Sequence, residues 1–389
     1  MTKIFKSYKT ELDPNNVQRT LLAKHAGAAR FAWNWALGRR IEEYRITGKS
    51  SNAIEQHRQL NSLKQANFPW MYEVSKCAPQ ESLRDLEKAF RNFFAKRASY
   101  PRFKSKKCGI GGFRLTGSIV VETGMIRLPR IGWLRLKESD YLPTNAKINS
   151  VTINERVGRW FVSVQVEEQI AVSENQGPAI GLDLGLKAFV VGSDGLLLKA
   201  PKPLLCSLRR LRKLSRRLSR KQKGSMNRKK SAKRLANLHY RISCQRSDFL
   251  HKATSALAKT NSVIVVESLN VSGMLKNHCL ARSISDVGWS EFVRQLEYKA
   301  SWHGGKVIKA DRFYPSTKTC SACGMVKDKM PLSDRIYDCS GCGLVLDRDM
   351  NAAKNLLSLS SASSARFQAC GDPPLGGFVK QEPSIMKNE

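Results

Sequence analysis

The spacing of apolar positions changes twice in the first 170 residues of the chain. Residues 4–12 alternate loosely between apolar and polar side chains, which predicts a strand. From Val17 to Trp35 apolar residues recur at helical spacing. This predicts a helix with Asp13 as its N-cap and Pro14 at its first position, ending at the corner of residues 38–40. A second helix is predicted over about residues 80–98.

Residues 100–168 consist of short runs that alternate with a period of two, a pattern typical of a small antiparallel sheet or barrel. The isolated strand at residues 4–12 is expected to join this sheet. We therefore predict that residues 1–12 and 100–172 form one β domain and that residues 13–99 form a helical lobe carried by it.

The second half begins after a polar boundary at residues 173–178 and alternates between strands and helices. Residues 179–184 predict a buried strand, and Asp194–Gly195 is a two-residue hairpin turn. Residues 204–258 carry two apolar stripes separated at Gly224–Ser225, which predicts an antiparallel helical hairpin. A strand near residues 262–267, a helix over 289–302 and a strand over 307–310 complete an α/β core over residues 178–311.

Two Cys-x-x-Cys-Gly motifs follow this core, with fifteen residues between them. Paired motifs at this spacing are a strong signal for a tetrahedral Zn²⁺ site formed by four thiolates, more so than for core or disulfide cysteines. The predicted structural zinc ligands are Cys320, Cys323, Cys339 and Cys342.

The charge of the chain indicates a polyanionic partner. Its 389 residues are enough for two or three domains, and 67 Lys and Arg against 32 Asp and Glu give a formal net charge of +35. Nucleic acid is the first expectation and a membrane surface the second. No apolar run approaches the length of a membrane span, and the first residues lack the apolar segment of a signal peptide. The scattered remaining cysteines are typical of a reduced cytosol, so cytoplasmic DNA or RNA is the expected partner.

The predicted helical hairpin concentrates this charge. Fourteen Lys and Arg lie between residues 209 and 234, and no acidic residue occurs from 195 to 247. Without acidic residues for intrahelical pairing, such a face repels itself unless phosphates neutralise it, which favours nucleic-acid contact over a merely solvated face. The candidate contacts are Arg209, Arg210, Arg212, Lys213, Arg216, Arg217, Arg220 and Lys221.

Three carboxylates lie at positions that suggest catalysis. Asp183 is in a predicted buried strand, Glu267 is at the end of another, and Asp349 is at a helix start. The order of elements is that of an RNase H-like α/β fold, in which such carboxylates bind Mg²⁺, which prefers oxygen ligands. Two Mg²⁺ ions would then promote hydrolysis of a phosphodiester bond. Asp347 is the competing third ligand, and we interpret it as the helix N-cap.

The chain resembles the TnpB (OrfB) family of bacterial transposons, which are relatives of the type V CRISPR effectors. The resemblance spans nearly the whole chain and rests on several segments. They are AARFAWNWAL, SYPRF, GLDLGLKAFVV, VVESLNVSGM, STKTCSACG, DCSGCG and DRDMNAAKNL.

The resemblance implies a multidomain RNA-guided DNA endonuclease encoded by an insertion sequence. It implies a wedge-like β-barrel with a helical recognition lobe, followed by a RuvC nuclease that is interrupted by a zinc ribbon. In this chain the ribbon would be residues 312–346, the last RuvC helix 347–358 and a disordered tail 359–389. The implied catalytic ligands are Asp183, Glu267 and Asp349, and the implied partners are a guide RNA from the transposon end and double-stranded target DNA. A monomer is expected.

Two alternatives remain open from the sequence. A guided DNA-binding repressor without cleavage explains the charge and the ribbon but leaves three buried carboxylates without a role. A zinc-ribbon transposase or accessory protein explains the ribbon and the charge, and a strand-transferring transposase could use the same carboxylates.

Overall fold

The computed structural model describes residues 2–170, 172–331 and 333–369. The chain divides between residues 171 and 172 into two compact units, which are described separately. Among the described residues, no helix is both long and apolar enough to cross a membrane.

The first unit is built on a seven-stranded antiparallel sheet in which the N-terminal strand is central. β1 (Thr2–Asp13) pairs with β7 (Arg159–Ile170) along almost its whole length. The other strands are β2 (Gly112–Leu115), β3 (Val120–Glu122), β4 (Met125–Leu128), β5 (Gly132–Leu136) and β6 (Lys147–Arg156). Their order is β2-β6-β7-β1-β5-β4-β3. The predicted pairing of residues 4–12 with the later β segment is therefore confirmed.

The barrel implied by the resemblance is not closed. Among residues 2–170, β2 and β3 are the two edges of the sheet and do not pair with each other. They are only four and three residues long, so each offers few backbone groups for a closing ladder. An open sheet is the observed structure.

Three helices complete the first unit: α1 (Asn16–Thr47), α2 (Ala53–Asn67) and α3 (Cys77–Phe94). The predicted N-cap Asp13 is wrong, because β1 extends to that residue. Asn15 caps α1 instead, in a capping box with Gln18 in which both hydrogen bonds measure 2.9 Å. The predicted end at residues 38–40 is also wrong, because α1 continues to the left-handed C-cap Gly48.

The second unit contains a mixed five-stranded sheet. Its strands are β8 (Ala179–Leu184), β9 (Val190–Gly192), β10 (Leu197–Leu198), β11 (Val263–Val266) and β12 (Lys306–Lys309), in the order β10-β9-β8-β11-β12. β8, β11 and β12 are parallel, and β9 and β10 pair antiparallel. Residues 193–196 connect β9 to β10, so the connection is longer than the predicted two-residue turn. Gly195 within it has a φ of 93°.

Helices cover this sheet and extend away from it. They are α4 (Pro203–Ser219), α5 (Met226–Thr260), α6 (Val271–Met274), α7 (Ala281–Val287), α8 (Trp289–Trp302) and α9 (Arg348–Ala369). α4 and α5 form the predicted hairpin, with Leu211, Leu238 and Ile242 buried between them. α9 runs past the predicted end at residue 358, since the Ala- and Ser-containing segment that follows continues the helix. The rest of the tail predicted to be disordered, residues 370–389, lies outside the described residues.

A small two-stranded ribbon precedes α9, formed by β13 (Ile336–Asp338) and β14 (Val345–Asp347). Its core consists of Cys320, Tyr337 and Cys339, all almost fully buried. Such a small core contains too little apolar surface to fold by itself, which is the usual situation of a metal-stabilised module.

Candidate active site and metal centre

Asp183 and Glu267 lie next to each other at one edge of the mixed sheet. Leu182 of β8 is the register partner of Val266 of β11 in a parallel pair. The residue after each partner is a carboxylate, so the parallel register alone places Asp183 beside Glu267. Asp183 is 7% exposed and is therefore a buried acid.

Asp349 lies in the first turn of α9, and its negative charge acts on Asp183 and Glu267. Asp347 precedes the helix, and its Oδ1 accepts hydrogen bonds from the backbone N–H of Asp349 at 2.9 Å and of Met350 at 3.1 Å. Asp347 is thus the N-cap, as interpreted from the sequence, and its carboxylate is occupied by the helix end. The inward carboxylate of this segment is Asp349.

Two arginines accompany Asp349. Arg348 Nε lies 3.4 Å from Asp349 Oδ1, and Arg335 Nη1 lies 3.7 Å from Asp349 Oδ2. The four cysteines are the one group among the described residues whose potential metal-ligand atoms all lie within 4.8 Å of one another. The oxygens of Asp183, Glu267 and Asp349 do not all lie within that distance of one another, although the charge of Asp349 acts on the other two carboxyls. Asp349 itself is engaged by cationic side chains.

The electrostatics of the site show that the carboxylates act on one another. Burial, and then the negative charges of Glu267 and Asp349, raise the pKa of Asp183 to about 8. Burial also raises the pKa of Glu267. Clustered, desolvated acids with raised pKa values are costly to a fold and are typical of catalytic or metal-binding sites. A divalent cation would favour their ionised forms, and an all-oxygen donor set suits Mg²⁺.

The four cysteine sulfurs form a compact cluster, in which all lie within 4.8 Å of one another. The Sγ atoms of Cys320 and Cys342 are 3.6 Å apart, as are those of Cys323 and Cys339. Four Zn–S bonds of about 2.3 Å in a tetrahedron require sulfur separations of about 3.8 Å, so the spacing fits such an ion.

The two cysteine motifs are built alike. The N–H of Gly324 donates to the carbonyl of Cys320 at 3.0 Å, and the N–H of Gly343 donates to that of Cys339 at 2.9 Å. Both glycines have a positive φ, 76° and 74°, which other residues seldom adopt. Burial opposes ionisation of Cys320, yet backbone N–H groups and the neighbouring thiols lower its pKa to about 6. At Cys320 the motif therefore favours the thiolate, the form that binds metal.

The turn Pro315–Thr319, called here the ribbon root, attaches the ribbon to α9. Two buried asparagines of the helix hold it: Asn351 Nδ2 donates to the carbonyl of Thr319 at 2.7 Å, and Asn355 Nδ2 donates to the carbonyls of Thr319 and Ser316 at 2.6 and 2.7 Å. Sequence reasoning did not identify these residues. Two asparagines four residues apart, which lie on the same face of a helix, were the available signal.

The basic hairpin carries the predicted nucleic-acid contacts on one exposed surface. All eight candidates on or next to α4, called here the α4 cations, are solvent exposed. Within the described part of the chain none of the eight forms an ion pair. They are Arg209, Arg210, Arg212, Lys213, Arg216, Arg217, Arg220 and Lys221. Unpaired exposed cations in this number are available for phosphates.

Asp286 of α7, which the sequence analysis did not identify, fixes the start of α4. Its carboxylate accepts hydrogen bonds from the N–H groups of Leu204 and Leu205 at 3.1 and 3.2 Å. It also pairs with Arg246 of α5 at 3.0 Å. One buried carboxylate thus holds both helices of the hairpin against the unit.

Comparison with known families matches three segments of the chain. Residues 161–278 match OrfB_IS605, described as "Probable transposase". Residues 289–356 match "Cas12f1-like, TNB domain". Residues 1–49 match "Helix-turn-helix domain", although here they contain β1 and the single long helix α1.

The solved cryo-EM structure of the Cas12f1–sgRNA–target DNA complex has a similar fold. The TM-score is 0.57 at 13% sequence identity, with 91% of this chain and 99% of that chain covered. Fold and site together define the class: a Cas12f-like multidomain α/β protein with a four-cysteine cluster.

Relatives of nearly equal length show the family. A protein of Streptomyces pristinaespiralis is 38% identical over 376 residues, 96% of this chain and 92% of the relative. The InsQ protein of Escherichia coli K12 is 33% identical, and the match covers 99% of this chain and 98% of the relative. Both relatives carry the name "Putative RNA-guided DNA endonuclease". This chain belongs to the TnpB (OrfB) family, as the sequence motifs indicated.

Proposed function

We propose that this protein is an RNA-guided DNA endonuclease of an insertion element and that it hydrolyses phosphodiester bonds with Mg²⁺. The observation that supports the proposal is the register of β8 and β11, in which Asp183 and Glu267 follow paired residues, together with the negative charge of Asp349 that acts on both. Full-length relatives that carry the name of RNA-guided DNA endonucleases support it.

The mixed sheet supports an RNase H-like, RuvC-type core. Three parallel strands are flanked by an antiparallel pair. Asp183 lies near the end of β8, Glu267 directly follows β11, and Asp349 is in the first turn of α9. In this arrangement Asp183, Glu267 and Asp349 are the residues that would hold Mg²⁺. When bound, Mg²⁺ would supply activation of water and neutralisation of the leaving oxygen.

Each of the three carboxylates has a distinct contribution. Asp183 offers a desolvated oxygen ligand from the rigid centre of the sheet. Glu267 offers a longer side chain from the neighbouring strand. Asp349 completes the donor set from α9, where Arg335 and Arg348 balance its charge. The four cysteines fit a structural Zn²⁺ that holds the ribbon beside α9.

The exposed positive charge of the hairpin indicates nucleic-acid partners. The α4 cations offer phosphate contacts without base specificity, which suits a guide RNA and its duplex with target DNA. A surface of this kind serves binding, whereas the buried carboxylates serve cleavage. Binding and cutting should therefore be separable by mutation.

The test is cleavage of a target library by the purified protein with its co-purified RNA. Asp183→Ala and Asp349→Ala should abolish Mg²⁺-dependent cleavage of guide-matched duplex and leave guide and target binding intact, because the phosphate contacts lie elsewhere. Asp248→Ala, at an exposed aspartate of α5, is the matched control and should cut normally. A wild-type protein that binds matched DNA but never cuts it with Mg²⁺ or Mn²⁺ would replace the nuclease proposal with the guided repressor.

A further inference from the structure

The ribbon root touches the active site directly, through Ser316. The Ser316 side chain is almost fully buried, with 4% of the residue exposed, and its Oγ donates a hydrogen bond to Glu267 Oε1 at 3.0 Å. Among the described residues this is the one hydrogen bond that the Glu267 carboxylate receives. A residue of the ribbon segment, outside the sheet, therefore sets the direction of this carboxylate.

Glu267 needs such a contact because of its place in the chain. β11 ends at Val266, so Glu267 lies one residue beyond the last paired position of the strand. Its side chain is long and has several rotatable bonds, whereas Asp183 is shorter and lies within β8. The strand thus places the backbone of Glu267, and a hydrogen bond is required to fix its oxygens.

Ser316 is itself held in place from the other side. Its carbonyl accepts the 2.7 Å hydrogen bond from Asn355 of α9, and its N–H donates to the carbonyl of Tyr314 at 2.8 Å. Tyr314 also donates its hydroxyl to the carbonyl of Asn355 at 3.1 Å. Asn355 lies on the helix whose first turn carries Asp349. A continuous path of hydrogen bonds therefore joins α9 to Glu267 through the ribbon root.

We propose that Ser316 is a positioning residue that couples the cysteine ribbon and α9 to Glu267, so that these parts of the unit hold the carboxylates in one geometry for metal binding. This rests on the proposed function, in which Glu267 is a Mg²⁺ ligand. The free oxygen of Glu267 remains available for the ion while Ser316 holds the other. Loss of a hydrogen bond to a metal ligand typically costs about 10- to 100-fold in metal affinity or activity.

A purely structural role of Ser316 would lead to a different experimental result. If the Ser316 hydroxyl only fills space at the ribbon root, Ser316→Ala should leave metal affinity unchanged or should loosen the ribbon and release its zinc. If Ser316 positions Glu267, the ribbon should stay folded while the affinity of the carboxylate site falls. Ser316→Thr keeps the hydroxyl and should restore that affinity.

The experiment measures Mn²⁺ binding by the full chain with its guide RNA, using electron paramagnetic resonance, for wild type, Ser316→Ala and Ser316→Thr. Ser333→Ala is the matched control, because the Ser333 hydroxyl also donates to a carboxylate, that of Asp334, on the exposed side of the ribbon. We expect the dissociation constant of the Ala variant to rise about 10- to 100-fold. The Thr variant and the control should stay near wild type, and zinc content should remain constant.

The dependence of cleavage on Mg²⁺ concentration gives the second readout. The Ala variant should need a higher concentration, with guide and target binding unchanged. Equal Mn²⁺ affinity in wild type and Ser316→Ala, or loss of zinc from the Ala variant, would overturn the positioning role. Failure of the wild type to bind Mn²⁺ and to cut would instead refute the proposed nuclease, so the two failures are distinguishable.

Discussion

Gly181 of β8 decides how closely α9 approaches the sheet, and replacing it with alanine should separate binding from cutting. A Cβ built on Gly181 would lie 2.1 Å from the carbonyl oxygen of Ala353 and 2.5 Å from the backbone nitrogen of Leu357. Both atoms belong to the backbone of α9, so no side-chain rotation can relieve the clash. The helix that carries Asp349 must move.

The size of the movement follows from these distances. An ordinary carbon–oxygen contact is well over 3 Å, so α9 has to withdraw by about 1 Å or more. Overpacking of this kind costs about 1–3 kcal/mol, which corresponds to a fall in Tm of about 2–12 °C for a unit of this size. A misplacement of about 1 Å at a catalytic group costs about 10²-fold in rate. Gly181→Ala should therefore lose at least about 10²-fold in cleavage.

The assay compares single-turnover cleavage of guide-matched duplex by Gly181→Ala and wild type, with guide and target binding measured in parallel. Gly38→Ala is the control, because a Cβ at this helical glycine of α1 meets no atom within 4 Å. That change should leave cleavage unaltered and add about 0.5–1 kcal/mol of stability.

A Gly181→Ala protein that cuts at the wild-type rate and melts at the wild-type temperature would refute the reasoning. It would mean that α9 is not held at the observed distance and that the position of Asp349 does not depend on it. A variant that melts lower but cuts normally would show that the helix relaxes without displacing its first turn.

Three further predictions concern the ribbon, the hairpin and a buried lysine. Cys320→Ser should release about one zinc per chain, measured by metal analysis, and loosen the second unit, because structural zinc is part of its folding free energy; a purified wild type without zinc would contradict this. Replacing the last four α4 cations with Gln should weaken binding to RNA of every sequence alike and reduce the salt slope by about 0.7–0.9 per lost phosphate contact; an unchanged slope would favour a merely solvated face. Burial depresses the pKa of Lys299 from 10.5 to about 8, so the unfolded chain binds more protons between these values and stability should rise with pH across that window. Lys299→Met should remove this rise in stability. An identical pH dependence of unfolding in wild type and Lys299→Met would contradict the prediction.

Features that depend on local spacing could be predicted from the sequence. The Cys-x-x-Cys-Gly motifs specify their own turns, because the glycines supply the positive φ that each turn requires. The bounds of β8 and α8 follow from apolar periodicity bounded by turn residues, and the Asp347 cap follows from its place directly before a helix. Local chemistry was misleading at Asp13, since a neighbouring strand continued through the predicted cap.

Which distant residues meet depends on the packed chain. Parallel pairing of β8 with β11 sets Asp183 beside Glu267, and the missing side chain of Gly181 lets the backbone of α9, whose first turn carries Asp349, lie against β8. The hydrogen bond from Ser316 to Glu267 joins residues 49 positions apart, and no local pattern marks Ser316 as its donor. Periodicity reports which face of an element is apolar, whereas the approach of two elements depends on backbone contacts that only the packed chain defines.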